Sequence, residues 1–409
     1  MKQADIIIIG GGPAGLFTAI HCKGIKTIIL EKNALAGKKL LISGTGRCNL
    51  THEGIISDFF SHYGENHRFM KTILYCFGNA DLLNFFSGHG LETIVDKNGK
   101  VFPVTHRSQD VLRILFDSCR KNDVQLAYNQ KVVGVGKKDN GFEVLTENDI
   151  FQARFLVFAT GGMSYPTTGS TGDGYKFAKH LGHSIVPPKP SLSPVIVQGY
   201  KMASIAGVSL QNRDIYLYRD NRKIHACRGD ICFTHHGLSG PGILDFSRYI
   251  LSDDVIKVNF TDKKPDDFRT EFLTAAEKEG KTAIQTFMKR YEIPRSLQSF
   301  IFMELKIEPE TRLAEINKNV RNQLVAACCE YPFLIGKVGG FNMAMVTSGG
   351  VALPEVDANT MESKLVPDLY FAGEVLDIDG DTGGYNLQAA FSTGFMAAQS
   401  IRKKFMERY

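Results

Sequence analysis

A glycine-rich turn near the start of the chain has the residue types and spacing needed to bind a pyrophosphate. The segment Gly10 to Gly15 reads Gly-Gly-Gly-Pro-Ala-Gly and fits the pattern G-x-G-x-x-G. In this pattern Gly10 permits a tight turn out of a strand, and Gly12 lets the backbone approach a phosphate. Gly15 lets the following helix pack closely on the strand, and the N–H groups that begin this helix would face the phosphates.

The elements around this turn are those that a dinucleotide-binding fold requires. An apolar run from Asp5 to Ile9 predicts a buried parallel strand, helical spacing follows from Pro13 to Lys23, and Thr27 to Leu30 predicts a second strand. Glu31 comes next, where a carboxylate can accept both hydroxyls of an adenosine ribose. The sequence therefore predicts a β-α-β unit that opens a doubly wound sheet, with an ordinary glycine-rich turn as the alternative.

Only one such fingerprint occurs in the chain. Gly134-Val135-Gly136 is followed by Lys137 and Lys138 and so fails the pattern. We therefore predict one permanently bound dinucleotide. A nicotinamide cofactor would have to bind transiently, because the chain has no second dinucleotide-binding fold for it. The pattern does not distinguish NAD from FAD.

The composition limits the class of protein. The chain has 409 residues, of which 43% are apolar and 22% charged, as is usual for a globular protein of two or three domains. The net charge of +5 is spread along the chain, so nucleic acid is not an expected partner. Eight cysteines without a Cys-x-x-Cys pair predict reduced thiols, and no apolar run is long enough to span a membrane. We expect a cytoplasmic protein.

Changes of pattern along the chain predict three domains. Pro187 to Pro190 is a stiff, extended segment that is typical of a boundary. Short strand-like runs between Val195 and Phe260 predict a β domain over residues 191–264, and a helical pattern from Asp267 to Glu330 predicts a helical domain over residues 265–335. Glycines then return, with a buried strand at Leu369 to Ala372 and a closing helix from Asn386 to Lys404. We predict that residues 1–190 and 336–409 form one domain into which the other two are inserted.

The closing segment of the chain carries a resemblance to known proteins. Leu369 to Glu374 is a strand that ends in a glycine and a carboxylate, and Gly383 to Leu387 opens the last helix, as in the second FAD fingerprint of two-domain flavoproteins. Together with Lys38 to Asn49, Thr234 to Pro241 and Val346 to Val351, these stretches resemble a bacterial flavoprotein family. This family is often labelled aminoacetone-oxidase-like and includes the bile-acid 3-dehydro-Δ4,6-reductases. The resemblance covers nearly the whole chain.

The resemblance implies an α/β fold with a Rossmann-like FAD-binding domain made from both chain ends. An antiparallel β-barrel-like domain and a small helical domain would interrupt it. The resemblance also implies FAD contacts at Ala14, Glu31, Lys38, Lys39, Val133, Glu374, Asn386 and Leu387. At Lys38 the family more often has arginine, so this chain would lose a bidentate contact to phosphate.

The Gly-Arg-Cys-Asn stretch is a second candidate for contact with the flavin. Its glycines would bring the backbone against the isoalloxazine while Arg47 or Asn49 bonds the polar edge, whereas the alternative is a loop that only shapes the pocket. No feature marks Cys48 as a thiolate. The complete predicted cofactor-binding set is Gly10, Gly12, Pro13, Ala14, Gly15, Glu31, Lys32, Lys38, Lys39, Ser43, Gly44, Gly46, Arg47, Cys48, Asn49, Val133, Ala159, Thr160, Gly161, Gly162, Gly373, Glu374, Asp377, Gly384, Tyr385, Asn386 and Leu387.

Three residues are predicted to be catalytic. His235 and His236 could face the flavin, one of them as a proton donor, and the alternative is a tight turn with surface histidines. Tyr385 could stack on the ring or donate a proton, and the alternative is a packing aromatic. Cys227 and Cys232 precede the two histidines, but the spacing is not a usual zinc pattern, so we predict no metal.

We therefore predict an FAD-dependent oxidoreductase that transfers a hydride through flavin N5. The expected reaction is reduction of an enone-like small molecule driven by NADH or NADPH as transient reductant, with the substrate bound between the FAD and β domains. One alternative is a flavin oxidase of a small amine or hydroxy compound. A third class, a nucleic-acid-modifying or nucleic-acid-binding flavoprotein, stays open because the net charge is mildly basic.

Overall fold

The computed structural model describes residues 2–96 and 98–407. It divides into two compact units, the first formed by Met1–Ser191 and Ala344–Tyr409 and the second by Leu192–Met343. The strands of the described residues are β1 (Lys2–Ile9), β2 (Thr27–Leu30), β3 (Thr51–His52), β4 (Thr93–Val95), β5 (Lys100–Pro103), β6 (Gln125–Ala127), β7 (Val132–Lys138), β8 (Gly141–Thr146), β9 (Ile150–Phe158), β10 (Ile185–Ser191), β11 (Val195–Val197), β12 (Ser209–Arg219), β13 (Arg222–Phe233), β14 (Gly237–Ser239), β15 (Val255–Val258), β16 (Tyr331–Val338), β17 (Val346–Val351) and β18 (Leu369–Phe371).

The α-helices follow the same order along the chain. They are α1 (Pro13–His21), α2 (Lys38–Ile42), α3 (Ile56–Phe59), α4 (His67–Cys76), α5 (Asn79–Gly88), α6 (Ser108–Lys121), α7 (Asp173–His180), α8 (Pro241–Leu244), α9 (Pro265–Lys278), α10 (Ile284–Met288), α11 (Arg295–Leu305), α12 (Lys318–Cys329) and α13 (Tyr385–Met406). Within residues 2–96 and 98–407, no helix has the length and apolar character needed to cross a bilayer.

A doubly wound sheet forms the centre of the first unit. Its strand order is β6-β2-β1-β9-β8-β7, and β18 also pairs with β9. Strands β6, β2, β1, β9 and β18 run parallel, with Ile7 opposite both Ile28 and Leu156. These three side chains are at most 2% exposed, as expected for parallel strands that are covered on both faces. Because β18 comes from the end of the chain, the predicted α/β fold built from both chain ends is confirmed.

The second unit contains a closed barrel with the strand order β11-β14-β13-β12-β15-β16. Helices α9 to α12 pack on it and share one hydrophobic cluster with its strands. Tyr331–Val338, whose first five residues were assigned to the predicted helical domain, is the barrel strand that pairs with β11 and β15. Its buried residues Phe333 and Ile335 alternate with more exposed ones, which is the period of a strand and not of a helix.

The proline-rich segment lies at the end of the first unit. Pro187 and Pro188 belong to β10, which pairs with β17 in a two-stranded sheet. The register of this pair shifts between Val186 and Lys189, where the prolines have no N–H to donate to the ladder. The unit boundary follows β10 directly.

Replacing Phe17 by alanine tests the core of the first unit. Phe17 is fully buried on α1 and meets the rings of Phe85 and Phe391 edge-on at 4.9 and 5.0 Å. We expect Phe17→Ala to lower the free energy of unfolding by about 3–5 kcal/mol in denaturant titration, because a cavity remains. The control Leu365→Ala removes a side chain that is 50% exposed and should change it by no more than about 0.5 kcal/mol. A loss below about 1 kcal/mol for Phe17→Ala would contradict this packing.

Candidate functional site

The three glycines of the first fingerprint have different surroundings. A Cβ at Gly10 would lie 2.3 Å from the Ala159 carbonyl oxygen, and a Cβ at Gly15 would lie 2.0 Å from the Gly10 carbonyl oxygen. A Cβ at Gly12 would meet no atom within 4 Å. Gly10 and Gly15 are thus required by backbone packing, whereas Gly12 borders open space at the start of α1. A phosphate approaching this helix end would find that space free.

Glu31 lies at the end of β2 with its carboxylate held by backbone and side-chain donors. The side chain is 8% exposed. Its Oε2 accepts a hydrogen bond from the Gly11 N–H at 3.0 Å, and its Oε1 accepts from the N–H and the Nδ2 of Asn33, both at 2.8 Å. The carboxylate is therefore oriented beside the glycine turn, and Oε2, which accepts only one of these hydrogen bonds, keeps a lone pair that a ribose hydroxyl can use.

Val133 lies at an irregularity in the sheet. Strand β7 pairs with β8, but the register shifts between Val132 and Gly134, so the Val133 backbone lies outside the ladder. The Val133 side chain is 53% exposed. Gln130, three residues earlier, donates its N–H to the Glu31 carbonyl oxygen at 2.9 Å. Backbone groups that lie outside the ladder near Glu31 can form hydrogen bonds with an adenine base next to the ribose.

The second fingerprint contacts the first. Gly373 has φ +75°, and a Cβ there would lie 2.9 Å from the Ala14 Cβ. The Glu374 carboxylate bridges two other segments, since Oε1 accepts from the Thr347 N–H at 2.8 Å and Oε2 pairs with Lys39 Nζ at 2.7 Å. The two FAD fingerprints inferred from the sequence are thus brought together in one unit.

Thr347 is a residue that the sequence analysis did not single out. It is fully buried in β17, and its hydroxyl accepts from the N–H groups of Met163 and Ser164 at 2.8 and 3.1 Å. A Cβ at Gly162 would lie 2.4 Å from this hydroxyl, so the loop from Ala159 to Gly162 packs directly on it. Thr347 lies in the Val346 to Val351 stretch, one of those that resemble the flavoprotein family, and this resemblance could have identified it.

The other predicted lysines also have oxygen partners in the first unit. Lys32 Nζ lies 2.8 Å from the Asp173 carboxylate and 2.6 Å from the Thr171 hydroxyl. Lys38 Nζ lies 3.5 Å from the Asn33 amide oxygen, which is a weak contact. Lys38 is therefore the less constrained of these two cations.

The Gly-Arg-Cys-Asn loop has an unusual backbone and a structural cysteine. Gly44, Gly46 and Cys48 all have positive φ values. Cys48 is fully buried, and burial raises the pKa of its thiol to about 12, although the Ser43 side chain opposes this shift. The Cys48 thiol is therefore neutral at physiological pH, which disfavours nucleophilic chemistry. Arg47 is exposed, with its guanidinium 4.7 Å from the centre of the Phe102 ring.

The start of α13 is fixed by two asparagines. In the amide orientation that satisfies its neighbours, Asn49 Oδ1 accepts from the Gly384 N–H at 2.9 Å. Gly384 has φ +102°, and a Cβ there would lie 2.4 Å from the Thr51 carbonyl oxygen. Asn386 closes the loop before the helix, because its Oδ1 accepts from the Gly380 N–H at 2.9 Å and its Nδ2 donates to the Gly380 carbonyl at 2.7 Å. Leu387 follows, partly buried, in the first turn.

Tyr385 lies in an aromatic stack that the sequence did not predict. Its ring is parallel to those of His62 and His52, with centroid distances of 4.0 and 5.3 Å. His62 Nδ1 lies 3.0 Å from Asp381 Oδ2, and the Tyr63 hydroxyl donates to the Tyr385 carbonyl at 2.8 Å. Tyr385 is 4% exposed and so packs as a buried aromatic, whereas the His62 side chain is 35% exposed. His62 and Asp381 are 319 positions apart, and no motif links them.

Asp377 follows the second fingerprint and is also tied to another segment. Its Oδ1 accepts from the Gly349 N–H at 2.9 Å. Burial raises the pKa of this carboxyl, while the Gly349 hydrogen bond opposes the shift. Asn66 Nδ2 donates to the Asp377 carbonyl oxygen at 2.7 Å.

The two predicted histidines of the second unit lie on a tight turn. His235 and His236 are exposed between β13 and β14, and the Thr234 hydroxyl accepts from the N–H groups of His236 and Gly237 at 3.3 and 3.0 Å. This geometry is the tight turn with surface histidines that the sequence offered as the alternative to a catalytic role. In the part of the chain that the structure describes, no three His, Cys, Asp or Glu side chains are arranged to hold a metal ion.

Comparison with known proteins identifies the family. Residues 4–400 match the family described as "HI0933-like protein Rossmann domain". The chain belongs to this family. The "3-dehydro-bile acid delta(4,6)-reductase" of Clostridium scindens is 30% identical over 97% of this chain and 98% of that protein. The predicted family and enzyme class, an FAD-dependent oxidoreductase, are thereby confirmed.

Further relatives have a different name. The "Ribosomal RNA dihydrouridine synthase" of Escherichia coli is 29% identical over 98% of each chain, and that of Haemophilus influenzae is 29% identical over 98% of this chain and 100% of the relative. With these names among the relatives, the expectation that nucleic acid is not a partner is not confirmed. Among solved structures, a 3-ketosteroid-delta4-(5alpha)-dehydrogenase from Rhodococcus jostii superposes with a TM-score of 0.52 at 15% identity, covering 98% of this chain and 97% of the other. At this identity the likeness concerns the fold.

Two glycine variants separate cofactor binding from folding. Gly12→Ala places a methyl group in open space, so we expect unchanged stability but FAD affinity at least about tenfold weaker, about 1.4 kcal/mol. Gly15→Ala places a methyl group against the Gly10 carbonyl and should lower the free energy of unfolding by about 1–3 kcal/mol. Flavin absorbance after dialysis and denaturant titration of the apoprotein measure the two effects. Full FAD retention by Gly12→Ala would show that no phosphate approaches this glycine.

Proposed function

We propose that the protein reduces a carbon–carbon double bond conjugated to a carbonyl group, with FAD as the redox cofactor. The observation that carries this proposal is the shared chemistry of two relatives that match nearly the whole chain. One name describes a delta(4,6)-reductase of a 3-dehydro compound, and the other describes formation of dihydrouridine, in which the ring double bond of uridine is saturated. The substrates differ, but each reaction adds two hydrogens to an activated double bond.

The proposed FAD site uses the contacts of the first unit. Glu31 would accept a ribose hydroxyl at Oε2, the Val133 backbone would face the adenine, and the α1 end at Gly12 would bind the pyrophosphate. Lys38 has the freedom to reach a phosphate, and the N-terminus of α13 at Tyr385 would stabilise negative charge at the flavin. Bound FAD would supply hydride transfer at N5. The remaining residues of the predicted set shape this pocket.

We propose that His62 supplies the proton that accompanies the hydride. Its Nδ1 is held by Asp381 and its ring is fixed against Tyr385, so Nε2 is left for proton transfer. The same arrangement, an imidazole oriented by a carboxylate, is used by many acid–base catalysts. His235 and His236 are the second candidates for this role, because both are exposed.

The substrate and the electron donor are finer points of the proposal. An enone-like small molecule is one substrate class. A uracil base in RNA is the second, because two relatives are named ribosomal RNA dihydrouridine synthase. NADH or NADPH would bind transiently to reduce FAD, since the described residues contain one dinucleotide fingerprint. We place the reaction in the cytoplasm because all eight cysteines are free thiols.

Spectra of the purified protein test the proposed reaction. Flavin bands that bleach with NADH or NADPH under nitrogen, and return faster on adding a conjugated enone or a uridine-containing RNA than on adding air, are the expected result. Return that is fastest in air would instead establish the oxidase alternative. A protein without flavin bands after FAD is added would overturn the proposal.

Replacing His62 by asparagine tests the proton donor. We expect His62→Asn to leave reduction of FAD unchanged and to slow the reaction of the reduced enzyme with an enone by about 10²–10⁴-fold, as stopped-flow absorbance would show. His67→Asn is the control, because His67 is an exposed histidine of the same unit. If the reduction of FAD and the reaction of the reduced enzyme with the enone were slowed equally, His62 would only shape the FAD pocket.

A further inference from the structure

The outer side of the barrel presents two neighbouring tyrosines. On β12, Ile215 and Leu217 are fully buried in the barrel core. Tyr216 and Tyr218 alternate with them and lie half-buried on the outer side. Residues two apart on a strand are separated by about 6.8 Å, so the two rings lie side by side toward solvent.

Lysines from neighbouring strands lie over both rings. Lys223 Nζ is 5.3 Å from the centre of the Tyr216 ring, and Lys257 Nζ is 4.8 Å from the centre of the Tyr218 ring. The strand register explains these contacts, because Lys223 pairs with Tyr218 across β13 and Lys257 pairs with Tyr216 across β15. Each lysine reaches diagonally to the other tyrosine.

Tyr216, Tyr218 and Lys223 line one groove with a volume of about 370 Å³. Lys263, which is paired with Glu271, and Lys264 also line it. We call Tyr216, Tyr218, Lys223 and Lys264 the tyrosine–lysine face. Within residues 2–96 and 98–407, neither Lys223 nor Lys264 forms an ion pair, so both ammonium groups are available to an anion.

The acidic residues of the groove have cationic partners of their own. Arg228 pairs with Asp214 at 3.0 Å and with Asp262 at 2.6 Å. Glu330 lies 3.9 Å from Lys257. Arg228 offsets only one of its two aspartates, Lys257 offsets Glu330, and Lys263 is itself paired with Glu271. Lys223 and Lys264 therefore leave the groove with a small positive balance.

We propose that the tyrosine–lysine face binds single-stranded RNA. Bases would stack on Tyr216 and Tyr218 while phosphates contact Lys223 and Lys264. An exposed cation–π contact is weaker than stacking of a base on an aromatic ring, so an incoming base displaces the lysine, and the freed ammonium meets the phosphate. The ring spacing is about twice the 3.4 Å rise per nucleotide of a stacked strand, so it fits splayed bases rather than a duplex.

This inference deepens the proposed function, because it rests on RNA as one of the proposed substrates. The two are nevertheless separable. The tyrosine–lysine face is tested by binding alone, whereas the proposed reaction is tested by the flavin spectrum. A protein that reduces the enone but does not bind RNA would overturn the inference alone. A protein that binds RNA but shows no flavin-dependent reduction would overturn the proposed function alone.

Fluorescence anisotropy of the FAD-loaded protein with a labelled oligouridine of about 12 nucleotides tests the inference. We expect binding that weakens with salt and exceeds binding to a duplex of the same length. Tyr216→Ala with Tyr218→Ala should weaken binding at least about tenfold, while Tyr216→Phe with Tyr218→Phe should retain it, because stacking needs the ring and not the hydroxyl. Lys223→Ala with Lys264→Ala should lower the slope of log affinity against log salt by about 1.4.

Matched controls carry the same substitutions elsewhere. Tyr75→Ala removes a tyrosine that is 58% exposed in the first unit, and Lys281→Ala removes an exposed lysine of the second unit. Both should bind oligouridine like the unaltered protein, and circular dichroism checks that every variant is folded. No binding by the unaltered protein, or equal binding by the alanine pair of tyrosines, would overturn the inference.

Discussion

The close approach of α1 and α13 is the constraint on which the candidate site depends. A Cβ at Gly394 would lie 2.7 Å from the Ala14 carbonyl oxygen, and a Cβ at Gly373 would lie 2.9 Å from the Ala14 Cβ. A larger side chain at Gly394 would force the two helices apart, and one at Gly373, which follows β18, would push α1 away from the second fingerprint. Each helix begins directly after a glycine loop, at Gly12 and at Gly384. The contact therefore fixes the two fingerprints from opposite ends of the chain in one site.

Buried and half-buried carboxylates connect the remaining segments of this site. Burying a carboxylate is costly unless hydrogen bonds compensate it, and here the donors are backbone N–H groups of distant segments. Glu31 accepts from the glycine turn, Glu374 accepts from Thr347, and Asp377 accepts from Gly349. Each carboxylate thus connects two segments while part of its accepting capacity stays available. The residues with the chemistry to bind a cofactor are also those that position its loops.

Local patterns predicted the fold of the first unit well. The strand, turn and helix around Gly12 follow from apolar periodicity and glycine spacing, and β18 was predicted as a buried strand at the right place. The pattern was less informative for Tyr331–Val338, which follows α12 without an intervening glycine. The helical pattern was predicted to end at Glu330, but the short alternation of buried Phe333 and Ile335 did not identify a strand, and its first five residues were assigned to the helical domain.

What the sequence did not predict depends on contacts between distant residues. His62 meets Asp381 across 319 positions, and neither residue lies in a pattern that indicates the other. The tyrosine–lysine face is not visible in the linear sequence for a related reason, since Lys223 lies on β13 and Lys264 directly before α9, whereas both tyrosines lie on β12. In a barrel, the neighbours of an outward side chain are set by strand register, and register is fixed by the buried side chains between them. The surface chemistry is therefore specified by core residues such as Ile215 and Leu217, which themselves never reach the solvent.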